Sequence, residues 1–313
     1  MAAVDRPTPA FERNGCAPYA TGEATGEGWR LLLGDSAERL RELPDESIDL
    51  AVYSPPFQDL FVYSASERDL GNSRTPEQFW RHFGFIIREM YRLTKPGRTN
   101  RVHVADVPAL KERDGRIGLK DFPGATIRAY EDAGWVFYSR ITIKRNPQIQ
   151  AMRTHSHGLS FASLHRDSGD SRVAISDYIL VFHKPGERAV PVHTDIDNEC
   201  WIEWASNVWE GIRESRTLNA AEARDPDDVK HICPLQLDTI ERCVRLWGNP
   251  GELVCSPFAG IGSEGVVSLE FGRRFVGVEL NENYWRTAAK NLGKAESQAH
   301  RPSLLDMLEP AAS

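Results

Sequence analysis

Five cysteines in 313 residues (Cys16, Cys200, Cys233, Cys243 and Cys255) include no C-x-x-C pair and stand at no zinc-like spacing from the nine histidines. Neither a disulfide framework nor a metal centre is expected. Long apolar runs are missing as well. None approaches the roughly 18 residues that a membrane helix needs, and residues 1–27 lack a basic-then-apolar leader, so a cytoplasmic setting is expected. Positive charge is in deficit: 38 Lys and Arg against 45 Asp and Glu give a net charge of −7, which argues against indiscriminate binding to polyanions. What is present, 41% hydrophobic residues, fills a sizeable core in one large α/β domain or two small ones.

Strand and helix patterns alternate along the chain. Short apolar runs at 29–33, 48–53, 101–107, 135–144, 175–183, 252–255 and 274–278 read as strands. Residues 36–43, 122–133 and 235–247 read as helices, and another helix ends at Phe271. Thr75-Pro76 is a cap followed by proline at the first helical position. The helix it opens buries Phe79, Phe83, Ile86, Ile87, Met90 and Leu93, and Lys95-Pro96-Gly97 ends it. The alternation predicts an α/β fold with a mostly parallel sheet covered on both faces. Residues 1–27 and 294–313 read as flexible tails, the second with a short helix at 304–308, and 58–75 as a mobile loop. Residues 187–230 carry no assignable pattern, and Trp201, Trp204 and Trp209 within them read as local core. One basic island, 140–172, sets six Lys or Arg against Asp167 and Asp170, which suits a phosphate-facing surface or a solvated loop.

Two stretches carry chemistry. The first is Ser54-Pro55-Pro56-Phe57, directly after the strand at 48–53. Each proline fixes φ and removes an N–H, so the segment is held extended with carbonyls outside any ladder. The Ser54 hydroxyl adds an acceptor, and Phe57 offers a flat face to a planar group. The second is Ser256-Pro257-Phe258-Ala259-Gly260-Ile261-Gly262-Ser263-Glu264-Gly265, a G-x-G-x-x-G run between a strand and a helix. Glycines there let the backbone turn tightly beside a nucleotide-like ligand, and Glu279, 19 residues after Gly260 at the tip of the next strand, suits ribose hydroxyls. That pattern alone fits NAD, FAD and S-adenosylmethionine alike. A NAD-binding oxidoreductase is the rival from another reaction class, but nothing after the glycines resembles a redox site, and the Ser-Pro-Pro-Phe loop has no part in hydride transfer.

Together these stretches resemble the amino DNA methyltransferases that act on cytosine N4 or adenine N6. Residues 49–57 look like their (D/N/S)-P-P-(Y/F/W) catalytic motif, 256–265 like their F-x-G-x-G cofactor loop, and Gly34-Asp35 like the Gly-Asp before the catalytic strand. The catalytic loop comes first and the cofactor loop 202 residues later, the order of the permuted beta class. Ser215-Arg216-Thr217-Leu218-Asn219 with 231–247 is similar to prophage-type orphan members. Two departures stand out: the cofactor loop opens with Ser256 where the family has Asp, and Ser54 replaces the commoner Asp, which leans toward cytosine without excluding adenine.

The resemblance implies a Rossmann-like sheet, S-adenosylmethionine as cofactor, and double-stranded DNA as substrate with the target base flipped out. It also implies a restriction–modification setting and a homodimer, as in many members. Ser54, Pro55, Pro56 and Phe57 are the implied catalytic residues: the Ser54 hydroxyl and Pro55 carbonyl accept from the target amine, and Phe57 stacks on the base. Phe258, Gly260, Gly262 and Glu279 are the implied cofactor residues. Asp35 joins them or else merely caps the helix at 36–43. The expected division is a catalytic half at 28–145, a target-recognition region with one returning strand at 146–230, and a cofactor half at 231–293. Lys144, Arg145, Arg153 and Arg166 are expected on DNA. RNA or a protein glutamine amide is the alternative substrate for the same chemistry. Methylation at carbon 5 would need a cysteine nucleophile, usually after proline, and no Pro-Cys pair exists.

Overall fold

The loop after Tyr53 and the loop after Ser256 lie side by side because their strands are neighbours in one sheet. The computed structural model describes residues 3–4, 20–57, 68–73, 75–109, 111–154, 165, 169, 173–193, 195–219 and 234–299. Strands are numbered along the chain: β1 Ala3–Val4, β2 Gly22–Thr25, β3 Trp29–Leu33, β4 Ile48–Tyr53, β5 Thr94–Ala105, β6 Val107–Ala109, β7 Gly118–Lys120, β8 Val136–Ile143, β9 Asp177–His183, β10 Val208–Trp209, β11 Leu253–Ser256 and β12 Arg274–Glu279. Ten of them form one sheet in the order β1-β2-β3-β12-β11-β4-β5-β9-β8-β10, and β6 with β7 makes a separate hairpin. The run from β3 to β5 is parallel throughout, β9 is antiparallel to β5 and β8, and β10 is parallel to β8.

Successive strand residues point to opposite faces, and each face has its own core. Leu50 and Val52 of β4 with Ile179 and Val181 of β9 pack under helices Leu237–Trp247, Ser263–Glu270 and Glu282–Ala299. Ala51 and Tyr53 with Leu180 and Phe182 pack under helices Pro76–Leu93 and Phe122–Asp132. The first of those two helices follows its sequence: Thr75 Oγ1 accepts from the Gln78 N–H at 3.2 Å, and all six expected core residues are buried.

Several expectations are corrected. Lys95-Pro96-Gly97 does not separate helix from strand: the helix passes directly into β5. A register shift against β4 and the left-handed Gly97 (φ +70°) absorb the extra residues. Part of the expected N-terminal tail is ordered, because β2 pairs antiparallel with β3. The last helix runs to Ala299, six residues past the expected boundary, with Leu292 and Ala295 buried against the sheet. Residues 146–230 return two strands rather than one, since β10 adds to β8. Trp209 is core, donating its indole N–H to the Trp204 carbonyl at 2.8 Å, whereas Trp201 is exposed. Residues 58–67 and 304–308 lie outside the described residues. No helix among the described residues is long and apolar enough to cross a membrane.

Candidate active site

β11 and β4 run parallel with Val254 opposite Leu50 and Cys255 opposite Ala51, so residues 54–57 and 257–262 leave the same sheet edge together. The chain after β11 crosses to β12 through helix Ser263–Glu270 on one face, and the chain after β4 returns to β5 through helix Pro76–Leu93 on the other. Crossovers that diverge from adjacent parallel strands open a crevice at the carboxyl ends of those strands.

The cofactor-loop residues converge on this edge. Gly260 (φ +53°) and Gly262 (φ +89°) adopt left-handed backbone that side-chain-bearing residues avoid, and a side chain at Gly260 would meet nothing within 4 Å. Gly265 is needed for packing: a Cβ there would fall 2.4 Å from Leu292 Cδ2 and 2.6 Å from Phe275 Cδ1. Glu279 accepts from the Gly260 N–H at 2.7 Å and the Asn281 N–H at 2.8 Å. Burial raises its carboxyl to about 7 despite those donors. Glu264 beside it is also raised, to about 8, by burial and by the Glu279 charge. Phe258 packs against Tyr53 and Phe83, with ring centroids 5.9 and 6.1 Å apart. Ser256 is fully buried, and its hydroxyl has no partner among the described residues.

Asp35 lies on the same edge, next to the Gly34 N–H that donates to the Glu279 carbonyl at 2.8 Å. Its carboxylate accepts from the Ala37 N–H at 2.9 Å and pairs with Arg68 at 2.8 Å, so the capping role is realised. On the catalytic side, Pro55 is buried and Ser54, Pro56 and Phe57 are partly exposed. The Phe57 ring leans on His103 and Phe122, with centroids 6.1 and 5.4 Å away.

Of the four basic candidates, the side chains of Lys144 and Arg145 are described. Arg145 is nearly buried and ion-paired to Asp177. Lys144 is exposed and pairs with exposed Glu210 at 2.8 Å. Arg153 belongs to helix Pro147–Thr154, but its side chain, like the whole of Arg166, lies outside the described residues.

One group of site residues escaped the sequence reading. His103 near the end of β5 places Nδ1 3.1 Å from Ser54 Oγ and Nε2 2.8 Å from Asp177 Oδ2. Burial alone would raise the Asp177 carboxyl, but its bonds to His103 and Arg145 hold it at about 2. The signal available was the alternation of 101–104, which sets polar Arg101 and His103 on one face of a strand and Val102 and Val104 on the other.

The family described as DNA methylase (N6_N4_Mtase) matches residues 48–290. The chain belongs to this DNA methylase family. Among curated relatives of this DNA methylase, the Type II methyltransferase M.XycI of Xanthomonas campestris pv. cyanopsidis is 24% identical over 88% of the chain and 91% of its own length. The DNA adenine methyltransferase YhdJ of Escherichia coli (strain K12) is 22% identical over 90% and 88%. Among solved structures, TTHA0409 of Thermus thermophilus complexed with S-adenosyl-L-methionine superposes with a TM-score of 0.63 at 23% identity. The match covers 84% of this chain and 92% of that one, which fixes the fold.

Proposed function

We propose that this DNA methylase carries the methyl group of S-adenosylmethionine to the exocyclic amino group of a base flipped out of duplex DNA, cytosine N4 or adenine N6. The observation that carries the reading is the meeting of the Ser54 loop and the Gly260 loop at one sheet edge although their opening residues, Ser54 and Ser256, stand 202 positions apart. The site fits such a cofactor: Ser256 supplies an unpartnered buried hydroxyl, Gly260 leaves open space beside its backbone, and Glu279 offers a carboxylate. Phe258, Gly260, Gly262 and Glu279 would hold it, with Asp35 acting through its cap and Arg68.

When bound, the cofactor supplies a methyl group made electrophilic by a sulfonium. The protein's task is to present the amine, whose lone pair is delocalised into the base ring. Ser54 Oγ and the Pro55 carbonyl accept its hydrogens and favour a pyramidal nitrogen aimed at the methyl. Phe57, braced by Phe122, gives the extruded base a stacking face. Methylation at carbon 5 does not fit, because Cys255 beside the site is fully buried and burial pushes its thiol far above the usual range.

For DNA engagement we assign residues 146–230 to target recognition and place Lys144, Arg153 and Arg166 on the phosphates, with two copies of the chain forming the working unit. The test is nucleoside mass spectrometry on unmethylated DNA after incubation with protein and S-adenosylmethionine. N4-methylcytosine or N6-methyladenine is expected; Ser54→Ala should reduce the yield about 100-fold or more, and Pro55→Ala, which keeps the carbonyl but loosens the loop, should reduce it less. A cofactor-binding protein that methylates no DNA, or prefers structured RNA at equal salt, would overturn the assignment.

A further inference from the structure

Among the described residues, the groups facing His103 are Asp177 at the start of β9, Arg145 behind it after β8, and Ser54 with the Phe57 ring after β4. The strand registers build this row: Ile179 of β9 lies opposite His103 and Asp177 opposite Ile143, so residues 103, 177 and 145 share one face at the edge where the crevice opens. Asp177 stays ionised at neutral pH and can only accept, so the bond from His103 Nε2 requires the proton on Nε2. In the neutral imidazole Nδ1 is then an acceptor. The Ser54 O–H donates to it at 3.1 Å, with the His103 carbonyl at 3.3 Å as the weaker alternative acceptor. The hydroxyl proton is thereby drawn inward, and the Ser54 lone pairs are left for the target amine.

We infer that His103 and Asp177 are positioning residues that hold Ser54 as an obligate hydrogen-bond acceptor and then receive the reaction's proton through it. The inference rests on the amine-methylation reading. As the new C–N bond forms and the C–S bond breaks, the nitrogen must shed one proton. That proton passes to Ser54 Oγ while the Ser54 hydroxyl proton moves to His103 Nδ1. The result is a neutral methylated base and an imidazolium paired with the Asp177 carboxylate, and His103 afterwards releases the proton to water. Protonation of His103 beforehand reverses the bond: Nδ1–H then donates to Ser54 Oγ, occupies a lone pair, and leaves no site for the proton.

The experiment uses the full chain. Nitrogen-15 NMR of the cofactor-free protein should find His103 as the Nε2–H tautomer, and Asp177→Asn should disturb that tautomer. In steady-state methylation, His103→Gln and Asp177→Asn should each lower kcat about 100-fold without changing the affinity for S-adenosylhomocysteine. In a Ser54→Ala background, His103→Gln should cost nothing further, because it acts only through that hydroxyl. An Nδ1–H tautomer or additive losses in the double variant would each overturn the inference while leaving the methyltransferase reading intact. A wild-type protein that methylates no DNA would instead sink that reading, and this inference with it. Asp177→Asn, nearly isosteric, covers the case in which His103→Gln fails to fold.

Discussion

Glu279 makes cofactor affinity depend on pH, in a direction fixed by its surroundings. Its carboxyl titrates near 7 in the free protein because burial disfavours the charge and the backbone donors from Gly260 and Asn281 offset only part of that cost. Ribose hydroxyls donate hydrogen bonds, so binding favours the ionised carboxylate. With a free-state value of about 7, about one molecule in ten is ionised at pH 6 and about nine in ten at pH 8, so affinity should rise about tenfold across that interval. Below pH 7 binding should also release close to one proton. Folding has the opposite sign: a raised carboxyl favours the protonated folded state, so the cofactor-free protein should lose stability as pH climbs from about 4.5 toward 7. Isothermal calorimetry with S-adenosylhomocysteine at pH 6, 7 and 8, in buffers of different ionisation enthalpy, measures affinity and proton release together. The ligand's own amine and Glu264 titrate nearby, so the decisive quantity is the difference in slope between the native protein and Glu279→Gln. A flat native profile, or the same slope in the variant, would refute the assignment of Glu279 to the ribose.

Other outcomes follow from packing and charge. Gly265→Val should destabilise by about 2 kcal/mol or more in chemical denaturation, because the new side chain must displace Leu292 or Phe275. Thr75→Ala should cost about 1 kcal/mol by the same measurement, since it removes the cap on Gln78 while the buried stripe stays intact. Lys144→Ala should weaken binding to all duplexes alike and reduce the salt slope by about one, read by fluorescence anisotropy at several salt concentrations.

The parts of the fold that were legible are those set by local rules. The stripe of helix Pro76–Leu93 follows its 3.6-residue period, and the strand-loop-helix around Gly260 follows from glycine placement. What could not be read depends on partners distant in sequence. The Lys95-Pro96-Gly97 punctuation looked like a break because nothing local reveals a bulge against β4. The ion pair of Arg145 was not legible because its carboxylate, Asp177, arrives 32 residues later on an antiparallel strand. The His103–Ser54 bond spans 49 residues and two strands, and no motif spacing encodes it. Composition and periodicity report what a segment prefers, whereas a site of this kind is made by register between strands.

Register is also where the site can be broken without touching it. β4 and β11 share only two paired positions, and the carboxylate of Asp49 extends the join by accepting from the Leu253 N–H at 3.0 Å. Its other oxygen holds Lys95 at 2.6 Å, with Arg98 3.7 Å away, so one buried side chain ties β4 to the start of both neighbouring strands. Asp49→Ala strands the Leu253 donor at a site only 5% exposed and leaves Lys95 to solvent and Arg98 to Glu252, which should cost about 2 kcal/mol. Asp49→Asn keeps an acceptor for Leu253 but removes the charge beside Lys95 and Arg98, the second of which stays paired with Glu252. The two variants therefore separate alignment from electrostatics. If Asp49 acts through alignment, the asparagine variant should retain cofactor affinity and activity at temperatures below its lowered melting point, whereas the alanine variant should lose both together, because the Gly260 loop and the Ser54 loop are then no longer held in register. Equal losses of activity in the two variants would show that the charge itself, and not the strand join, sets the geometry of the crevice.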